Sequence, residues 1–208
     1  MGPGDALFGH GPPAEPPFAG FDPERAPSGR PWRPAAVLFL LYPRDGAVTT
    51  VFTLRQAGLA AHAGQISLPG GRFEPGDPSL WHTALRETHE ELGILPAAVE
   101  RLAALEPEYV AVSGYRVAPF IGRLRAPPVL RPDPREVAGV LEVPVRALLD
   151  PANYHEERRG VVYQLSPVYR YGPHEIWGAT ARMLKRILAH PELHRALVQA
   201  PTPPESPP

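Results

Sequence analysis

Three glutamates, Glu87, Glu90 and Glu91, lie within five consecutive residues. If this segment is helical, all three carboxylates share one surface patch, and each close pair of like charges costs about 0.2–0.5 kcal/mol. An anion in the last turn of a helix is also unfavourable, because the helix dipole is negative there. Three oxygen ligands suit a hard divalent cation such as Mg²⁺ or Mn²⁺. The spacing therefore favours a metal site over the alternative of ordinary solvated glutamates.

The residues around this triplet predict a helix over 78–92. Asp77 is a good N-cap, Pro78 suits the first helical position, and Gly93 is placed to end the helix. At about 100° per residue, one apolar stripe forms the face expected to meet the core: Trp81, Leu85, Thr88 and Leu92. The glutamates lie on the other side, where Arg86 could pair with a carboxylate and hold its rotamer.

A glycine pair, Gly70 and Gly71, ends the segment Leu68-Pro69-Gly70-Gly71 shortly before this helix. By itself such a pair is equally well explained by a tight turn. Beside a cluster of carboxylates it has a second meaning, because glycine lets a backbone carbonyl approach a metal or a phosphate closely. Together the two features indicate phosphoryl chemistry.

Charge and composition exclude several classes of protein. The 208 residues contain 21 Lys and Arg against 22 Asp and Glu, and this near neutrality argues against a nucleic-acid or membrane-surface binder. The chain has no cysteine, which excludes disulfides, thiolate nucleophiles and cysteine zinc sites. The longest apolar run, 35–42, has 8 residues, whereas a membrane span needs about 20. We expect a soluble, cytoplasmic protein without a nucleic-acid or membrane partner.

Proline marks the expected limits of the folded part. The chain has 30 prolines, about three times the average usage. Residues 1–34 hold nine prolines and six glycines, and 201–208 hold five prolines. We therefore expect a flexible arm over 1–34, one domain over 35–200 and a disordered tail over 201–208.

Within the domain, strands and helices alternate in a way that predicts an α/β fold. Residues 35–41 and 48–54 are expected to form a hairpin across the turn Pro43-Arg44-Asp45-Gly46. Further strands are predicted at 102–105, 109–112, 116–121 and 161–165. A last helix should begin near 176 or 178 and end near 189, before Pro191.

The glutamate segment resembles a known family motif. Residues 71–77 followed by 86–94, which read R-E-T-H-E-E-L-G-I, resemble the Nudix box, G-x5-E-x7-R-E-U-x-E-E-x-G-U, where U is bulky and apolar. Thr88 occupies the first U of the second half. Asp77 stands where the box has glutamate, and one extra residue separates it from Arg86. The resemblance to the Nudix family implies an α/β/α sandwich with a mixed central sheet.

Residues outside the box resemble one branch of that family, the coenzyme A pyrophosphatases. The segments 51–55 and 59–71 are similar to the upstream signature of this branch, which also has the longer box. Its downstream landmarks resemble 113–122, 142–144 and 176–181. Ala60 occupies the place of an arginine in that signature.

The resemblance implies metal-dependent hydrolysis of the pyrophosphate bond of coenzyme A or its thioesters, giving 3′,5′-ADP and 4′-phosphopantetheine or its acyl form. Two alternatives stay open. One is a Nudix hydrolase acting on ADP-ribose, dinucleotides or nucleoside triphosphates, because pocket loops rather than the box select the substrate. The other is a non-catalytic module that senses nucleotides. A small-molecule nucleotide is the expected partner, and the chain is expected to be a monomer or a homodimer.

The same resemblance implies roles for individual residues. The expected ligands of Mg²⁺ or Mn²⁺ are Glu87, Glu90, Glu91 and the Gly71 carbonyl. The expected catalytic residues are Glu87, Glu90, Arg86 and Glu136. Glu136 lies outside the helix and is the candidate to orient or deprotonate the attacking water. The alternative, that Glu136 is an ordinary charged residue of the surface, has equal weight. The expected substrate-binding residues are Arg55, His62, Gln65 and Gly70. Trp177 is read either as a platform for a base or as a packing residue.

Overall fold

The computed structural model describes residues 22–56, 65–158 and 165–199. The predicted hairpin is present: strand β1 (Arg33–Arg44) pairs antiparallel with β2 (Ala47–Arg55). β1 also pairs in parallel with β7 (Tyr115–Arg123) over nine residue pairs. These three strands form the centre of the main sheet.

Among the described residues, eight strands form this sheet, and its path runs β3-β2-β1-β7-β5. β4 joins β1, β6 joins β7 and β8 joins β2. All the pairings are antiparallel except that of β1 with β7, so the sheet is mixed. The remaining members are β3 (Ile66–Ser67), β4 (Gly70–Arg72), β5 (Glu100–Ala104), β6 (Glu108–Val110) and β8 (Val137–Pro144).

Helices cover both faces of the sheet. Successive side chains of β1 point to opposite faces: Leu38 and Leu40 pack with helix α1 (Leu80–Leu92), whereas Phe39 belongs to the core under α3 and α4. In the described ranges, the other α-helices are α2 (Val145–Leu149), α3 (Gly178–Leu188) and α4 (Pro191–Val198). The predicted α/β/α sandwich with a mixed central sheet is confirmed.

A second, smaller sheet lies beside α3. It contains β9 (Tyr154–Arg158), β10 (Leu165–Tyr171) and β11 (His174–Ile176), in the order β11-β10-β9. The strand predicted over 161–165 falls mainly on residues outside the described part, and β10 begins at Leu165.

Several elements escaped prediction. β9 reads Y-H-E-E-R, and its charged residues conceal a strand that gains its order by pairing with β10. Pro191 was interpreted as a terminator, yet it is the first residue of α4, a position where the missing proline N–H costs nothing. β8 was also missed, although its Leu141 and Val143 are buried.

The N-terminal boundary differs from the prediction. β1 begins at Arg33, two residues early, and Trp32 is buried in edge-to-face contact with Tyr109. The indole nitrogen of Trp32 donates to the carbonyl of Asp22 at 2.9 Å. The segment before β1 is therefore anchored at two buried residues, Ala26 and Trp32, although most of residues 22–31 are exposed. Residues 1–21 and 200–208 lie outside the described residues, and in the part that is described no helix has the length and apolarity to cross a membrane.

Candidate active site

The helix that carries the glutamates begins differently from the prediction. Ser79 is the N-cap of α1, with extended backbone and a hydroxyl that accepts from the His82 N–H, and α1 begins at Leu80. The prediction that Asp77 caps the helix is wrong. The Asp77 carboxylate accepts from Thr83 Oγ1 at 2.9 Å and from Arg86 Nε at 2.9 Å. The carboxylate oxygens that were expected to accept from the helix N–H groups therefore accept from Arg86 and Thr83 instead. Gly93 ends the helix as predicted.

Arg86 is the centre of the cluster. Its Nη1 donates to Glu87 Oε1 at 3.1 Å and to Glu90 Oε2 at 3.0 Å. Its Nη2 donates to Asp77 Oδ2 and to the Arg72 carbonyl, both at 3.0 Å. The predicted pairing of Arg86 with a neighbouring carboxylate is present, and it involves three carboxylates. Because charged hydrogen bonds of this kind are short and directional, Arg86 sets the orientation of the acidic side chains around it.

Glu91 occupies a different environment from the other two glutamates. Its side chain is buried, and its Oε2 accepts the Gly70 N–H at 3.0 Å. The expected single exposed patch of three glutamates is therefore wrong, because Glu91 points toward the sheet. Gly70 permits this contact: its φ is +145°, and a Cβ there would lie 2.3 Å from the Ala36 carbonyl oxygen. A side chain cannot be accommodated at that distance.

Gly71 is required by the carboxylate of Glu87. A Cβ on Gly71 would lie 2.5 Å from Glu87 Cδ and 2.6 Å from both carboxylate oxygens. Glu87 therefore lies directly against strand β4. The sequence predicted a close approach of the glycine pair to a metal or a phosphate, and this stays a prediction; the group that the structure places against Gly71 is a glutamate side chain.

The electrostatics of the cluster divide its carboxylates into two kinds. Burial raises the pKa of Glu87; Arg86 opposes this shift, while the charges of Glu90 and Glu136 add to it. The pKa of Asp77 is lowered to about 2, mainly by its hydrogen bonds from Arg86. The same pairing raises the pKa of Arg86. Asp77 is thus a fixed anion, whereas Glu87 is a carboxylate whose negative charge is poorly compensated.

Glu136 lies on a separate loop. It is exposed in the turn before β8, and its charge acts on Glu87. Its carbonyl accepts from the Gln56 backbone N–H at 3.2 Å, and Gln56 Nε2 donates to the Pro134 carbonyl at 2.8 Å. On the other side of the loop, the Asp133 N–H donates to the Glu91 carbonyl at 3.0 Å. The loop is therefore tied both to β2 and to the end of α1.

The remaining predicted site residues are less fully described. His62 lies outside the described residues, and of Arg55 only the backbone, at the end of β2, is described. Gln65 precedes β3, and its Nε2 lies 3.8 Å from the position of a Cβ on Gly178, the first residue of α3. Trp177, the residue before it, is 39% exposed, so it is not a fully buried packing residue.

The donors of the cluster fit a hard cation in chemistry. Four carboxylates of the described residues lie around Arg86 and the Gly70 N–H, and the charge of a fifth, Glu136, acts on Glu87; the four are Asp77, Glu87, Glu90 and Glu91. Within the described ranges, however, no three acidic or histidine side chains form a ready metal-binding group. Arg86 draws Glu87 and Glu90 to itself, and Glu91 is turned to Gly70. The like-charge repulsion inferred from the sequence is therefore partly offset by Arg86, and a bound cation requires the carboxylates to reorient.

Sequence reasoning missed three supporting residues. Ser79 lies three residues before His82, whose N–H donates to its hydroxyl, and it carried a usable signal. Asp133 precedes a proline, a combination typical of turns, and could have marked the loop of Glu136. Gln56 carried no signal, because its partner lies 78 residues away in the chain.

The cluster consists of a glycine pair packed against a glutamate-rich helix, with one arginine at its centre. Together with the fold, it defines the site of a hydrolase that acts on phosphate groups. Residues 31–165 match the model of the NUDIX domain, and the chain belongs to the Nudix family. It is a Nudix hydrolase, an enzyme that acts on pyrophosphate bonds. Nudix hydrolases generally use a divalent cation.

Curated relatives agree with this assignment, and a solved structure has the same fold. The chain is 39% identical over 142 residues to the uncharacterized Nudix hydrolase NudL of Photorhabdus laumondii, covering 67% of this chain and 75% of that protein. It is 36% identical over 173 residues to the mitochondrial Nudix hydrolase 15 of Arabidopsis thaliana, and the match covers 79% of this chain and 59% of that protein. The Nudix hydrolase RenU from M. smegmatis superposes with a TM-score of 0.56 at 19% identity, covering 85% and 94% of the two chains, and shows the same fold.

Proposed function

We propose that this Nudix hydrolase cleaves the pyrophosphate bond of coenzyme A or its thioesters. Water adds to one phosphorus and the bridging P–O bond breaks, so that the products are 3′,5′-ADP and 4′-phosphopantetheine or its acyl form. The observation that carries hydrolysis of a pyrophosphate is the group of carboxylates around Arg86 beside Gly70 and Gly71. The choice of coenzyme A is supported by the segments 51–55 and 59–71 and by the lengthened box.

The carboxylates supply the ligands for the metal in this proposal. Glu87, Glu90, Glu91 and the Gly71 carbonyl would hold Mg²⁺ or Mn²⁺. When bound, the cation neutralises charge on the pyrophosphate oxygens and polarises the phosphorus under attack. The raised pKa of Glu87 agrees with this role, because a poorly compensated carboxylate gains most from a cation.

Arg86 and Glu136 complete the catalytic set. Arg86, fixed by Asp77, holds Glu87 and Glu90 beside each other on α1, so that both carboxylates start from one defined arrangement when they turn toward the cation. Glu136 orients the attacking water or takes its proton. Its loop is held at both ends, by Gln56 and through Asp133, which is what a positioned base requires.

Substrate contacts are assigned to residues that precede α1. Arg55 and His62 bind phosphate oxygens or the adenosine part, Gln65 donates to the substrate, and the backbone of Gly70 borders it. Guanidinium and imidazole groups suit phosphate, which accepts charged hydrogen bonds. The expected partner is a small-molecule nucleotide rather than a nucleic acid, the expected location is the cytoplasm, and the assembly is a monomer or a homodimer.

A second candidate is a Nudix hydrolase of ADP-ribose, dinucleotides or nucleoside triphosphates. It is favoured by Ala60, which stands where the coenzyme A signature has an arginine. Loss of one cation that could contact phosphate weakens the case for a substrate with an extra 3′-phosphate.

The test is a substrate panel. The full chain is assayed with Mg²⁺ or Mn²⁺ against coenzyme A, acetyl-coenzyme A, ADP-ribose, a diadenosine polyphosphate and ATP, with products identified by ³¹P NMR. We expect the highest kcat/KM for coenzyme A or its thioester. A hundredfold preference for ADP-ribose, about 2.7 kcal/mol, rejects coenzyme A and supports the second candidate. Nucleotide binding without turnover of any substrate supports a sensing module instead.

A further inference from the structure

A cavity of about 170 Å³ lies between α4 and the end of the main sheet that is remote from the glutamates. Its walls include the apolar side chains of Leu41, Val48 and Ala196. β1 connects the two places: Val37 pairs with Gly70 of the candidate active site, and Leu41 reaches the cavity four residues later. At about 3.3 Å per residue, the cavity is about 13 Å further along the strand. It is therefore a separate place on the molecule.

Two arginines, Arg123 and Arg125, are also among the residues that line this cavity. Both pair with the same carboxylate, Glu100, at 3.0 and 3.4 Å. Because one carboxylate pairs with two arginines, this wall of the cavity carries a net positive charge. The Nε of Arg123 is buried and has no hydrogen-bond partner in the part of the chain that the structure describes. A buried donor without an acceptor is unfavourable, so the positive charge of Arg123 is under-compensated. The exposed 26% of its side chain is the part that an anionic oxygen could meet.

We propose that this cavity binds a small amphipathic anion, an aliphatic carboxylate whose chain lies along Leu41, Val48 and Ala196 and whose head group meets Arg123 and Arg125. The volume sets the size, because an apolar cavity of about 150 Å³ accommodates benzene; the buried part is therefore about six to eight carbons. The route in is open, since the Arg125 side chain is 84% exposed and Gln199 at the rim is exposed. Apolar burial supplies affinity, and the arginines select the charge.

Octanoate is the probe that tests this site. Isothermal titration of the full chain with octanoate, octan-1-ol and octylammonium compares one chain length with three head groups. We expect saturable binding of octanoate and binding at least about tenfold weaker for octylammonium, because its charge is repelled by the arginines. Octan-1-ol should lie between the two, since it keeps the apolar contact alone.

Variants locate the site. Arg125→Gln removes an exposed charge without touching the core, and we expect octanoate affinity to fall about tenfold. Arg170→Gln is the matched control: Arg170 is 55% exposed on β10, pairs with Glu175, and should leave the affinity unchanged. Ala196→Phe fills the cavity and should abolish binding. If circular dichroism shows that this variant does not fold, Val48→Phe at the opposite wall replaces it.

Four outcomes overturn the proposal. They are the absence of saturation up to about 10 mM octanoate, equal binding of octanoate and octylammonium, an unchanged affinity in Arg125→Gln, and binding that appears only after residues 200–208 are removed. The last result assigns the cavity to the chain's own end. Because every readout is binding, the outcome is independent of which substrate the enzyme hydrolyses.

Discussion

Asp77 and Arg86 are joined by two parallel hydrogen bonds, Nε to Oδ1 at 2.9 Å and Nη2 to Oδ2 at 3.0 Å. The carboxylate is almost fully buried, with 6% of its side chain exposed. This pair connects the loop before α1 to the residue that orients Glu87 and Glu90. One aspartate outside the helix thereby controls the geometry of the glutamates within it.

Replacing Asp77 by asparagine keeps the size of the side chain and removes its charge. Because a hydrogen bond to a charged group contributes about 1.5–3 kcal/mol, we expect the free energy of unfolding in urea to fall by about that amount. Asp45→Asn, in the exposed turn between β1 and β2, is the control and should change stability little. Equal effects of the two substitutions would contradict the assignment of Asp77 as an anchor.

The pair of Asp77 and Arg86 should also determine how the stability of the protein changes in acid. The pKa of Asp77 is about 2 in the folded protein, below the ordinary value of 3.8. A lowered folded pKa stabilises the protein fully above the unfolded value, and this contribution is lost as the pH falls from about 4 to about 2. The wild type should therefore lose more stability across this window than Asp77→Asn does. Parallel curves of unfolding free energy against pH would refute this.

Glu87 should have the opposite effect on stability. Because burial raises its pKa, the ionised carboxylate destabilises the folded state above its folded pKa, and the neutral amide of Glu87→Gln removes this cost. We expect the variant to melt at a higher temperature than the wild type in EDTA at pH 7, and to lose turnover. Added Mg²⁺ should raise the Tm of the wild type and leave that of the variant nearly unchanged. A variant that is less stable in EDTA, or that gains the full Mg²⁺ shift, would show that Glu87 does not face the cation.

The glycine pair offers a steric test with a matched control. Gly71→Ala places a Cβ against the Glu87 carboxylate, and displacement of a catalytic group by about 1 Å can lower kcat about a hundredfold. Gly76→Ala adds the same methyl group where nothing lies within 4 Å, and should leave kcat unchanged. Similar rates for the two variants would show that the position of Glu87 is unimportant.

Two substitutions test the loop of Glu136, one at the proposed base and one at the residue that holds the loop. Glu136→Gln removes the proposed base and should lower kcat by about 10²–10⁴ with little change in KM. Gln56→Leu removes the donor to the Pro134 carbonyl and should lower kcat less, again without a matching change in KM. Glu24→Gln, at an exposed position in the N-terminal segment, is the control. A normal kcat for Glu136→Gln would leave the attacking water to a carboxylate of α1.

Local signals made α1, the β1–β2 hairpin and α3 predictable. Each is a continuous segment whose apolar period, turn residues or terminal glycine lie within the element itself. Arg86 and the glutamates were also found in this way, because residues three and four apart in a helix are neighbours whatever surrounds them. One error was local: α4 begins at a proline that was interpreted as an ending. The other errors arose where a contact joined residues far apart in the chain.

The sequence by itself determined the family, the helix with its glutamates, and the glycine pair, since all of these depend on residue type and short spacing. Only the tertiary structure decided that Asp77 anchors Arg86 instead of capping a helix, and that Glu91 turns inward to the Gly70 N–H. It also decided that Gln56 holds the loop of Glu136. The physical reason is that these hydrogen bonds join residues 9 to 78 positions apart, and only the packing of β2, β4 and α1 on one sheet brings the partners together.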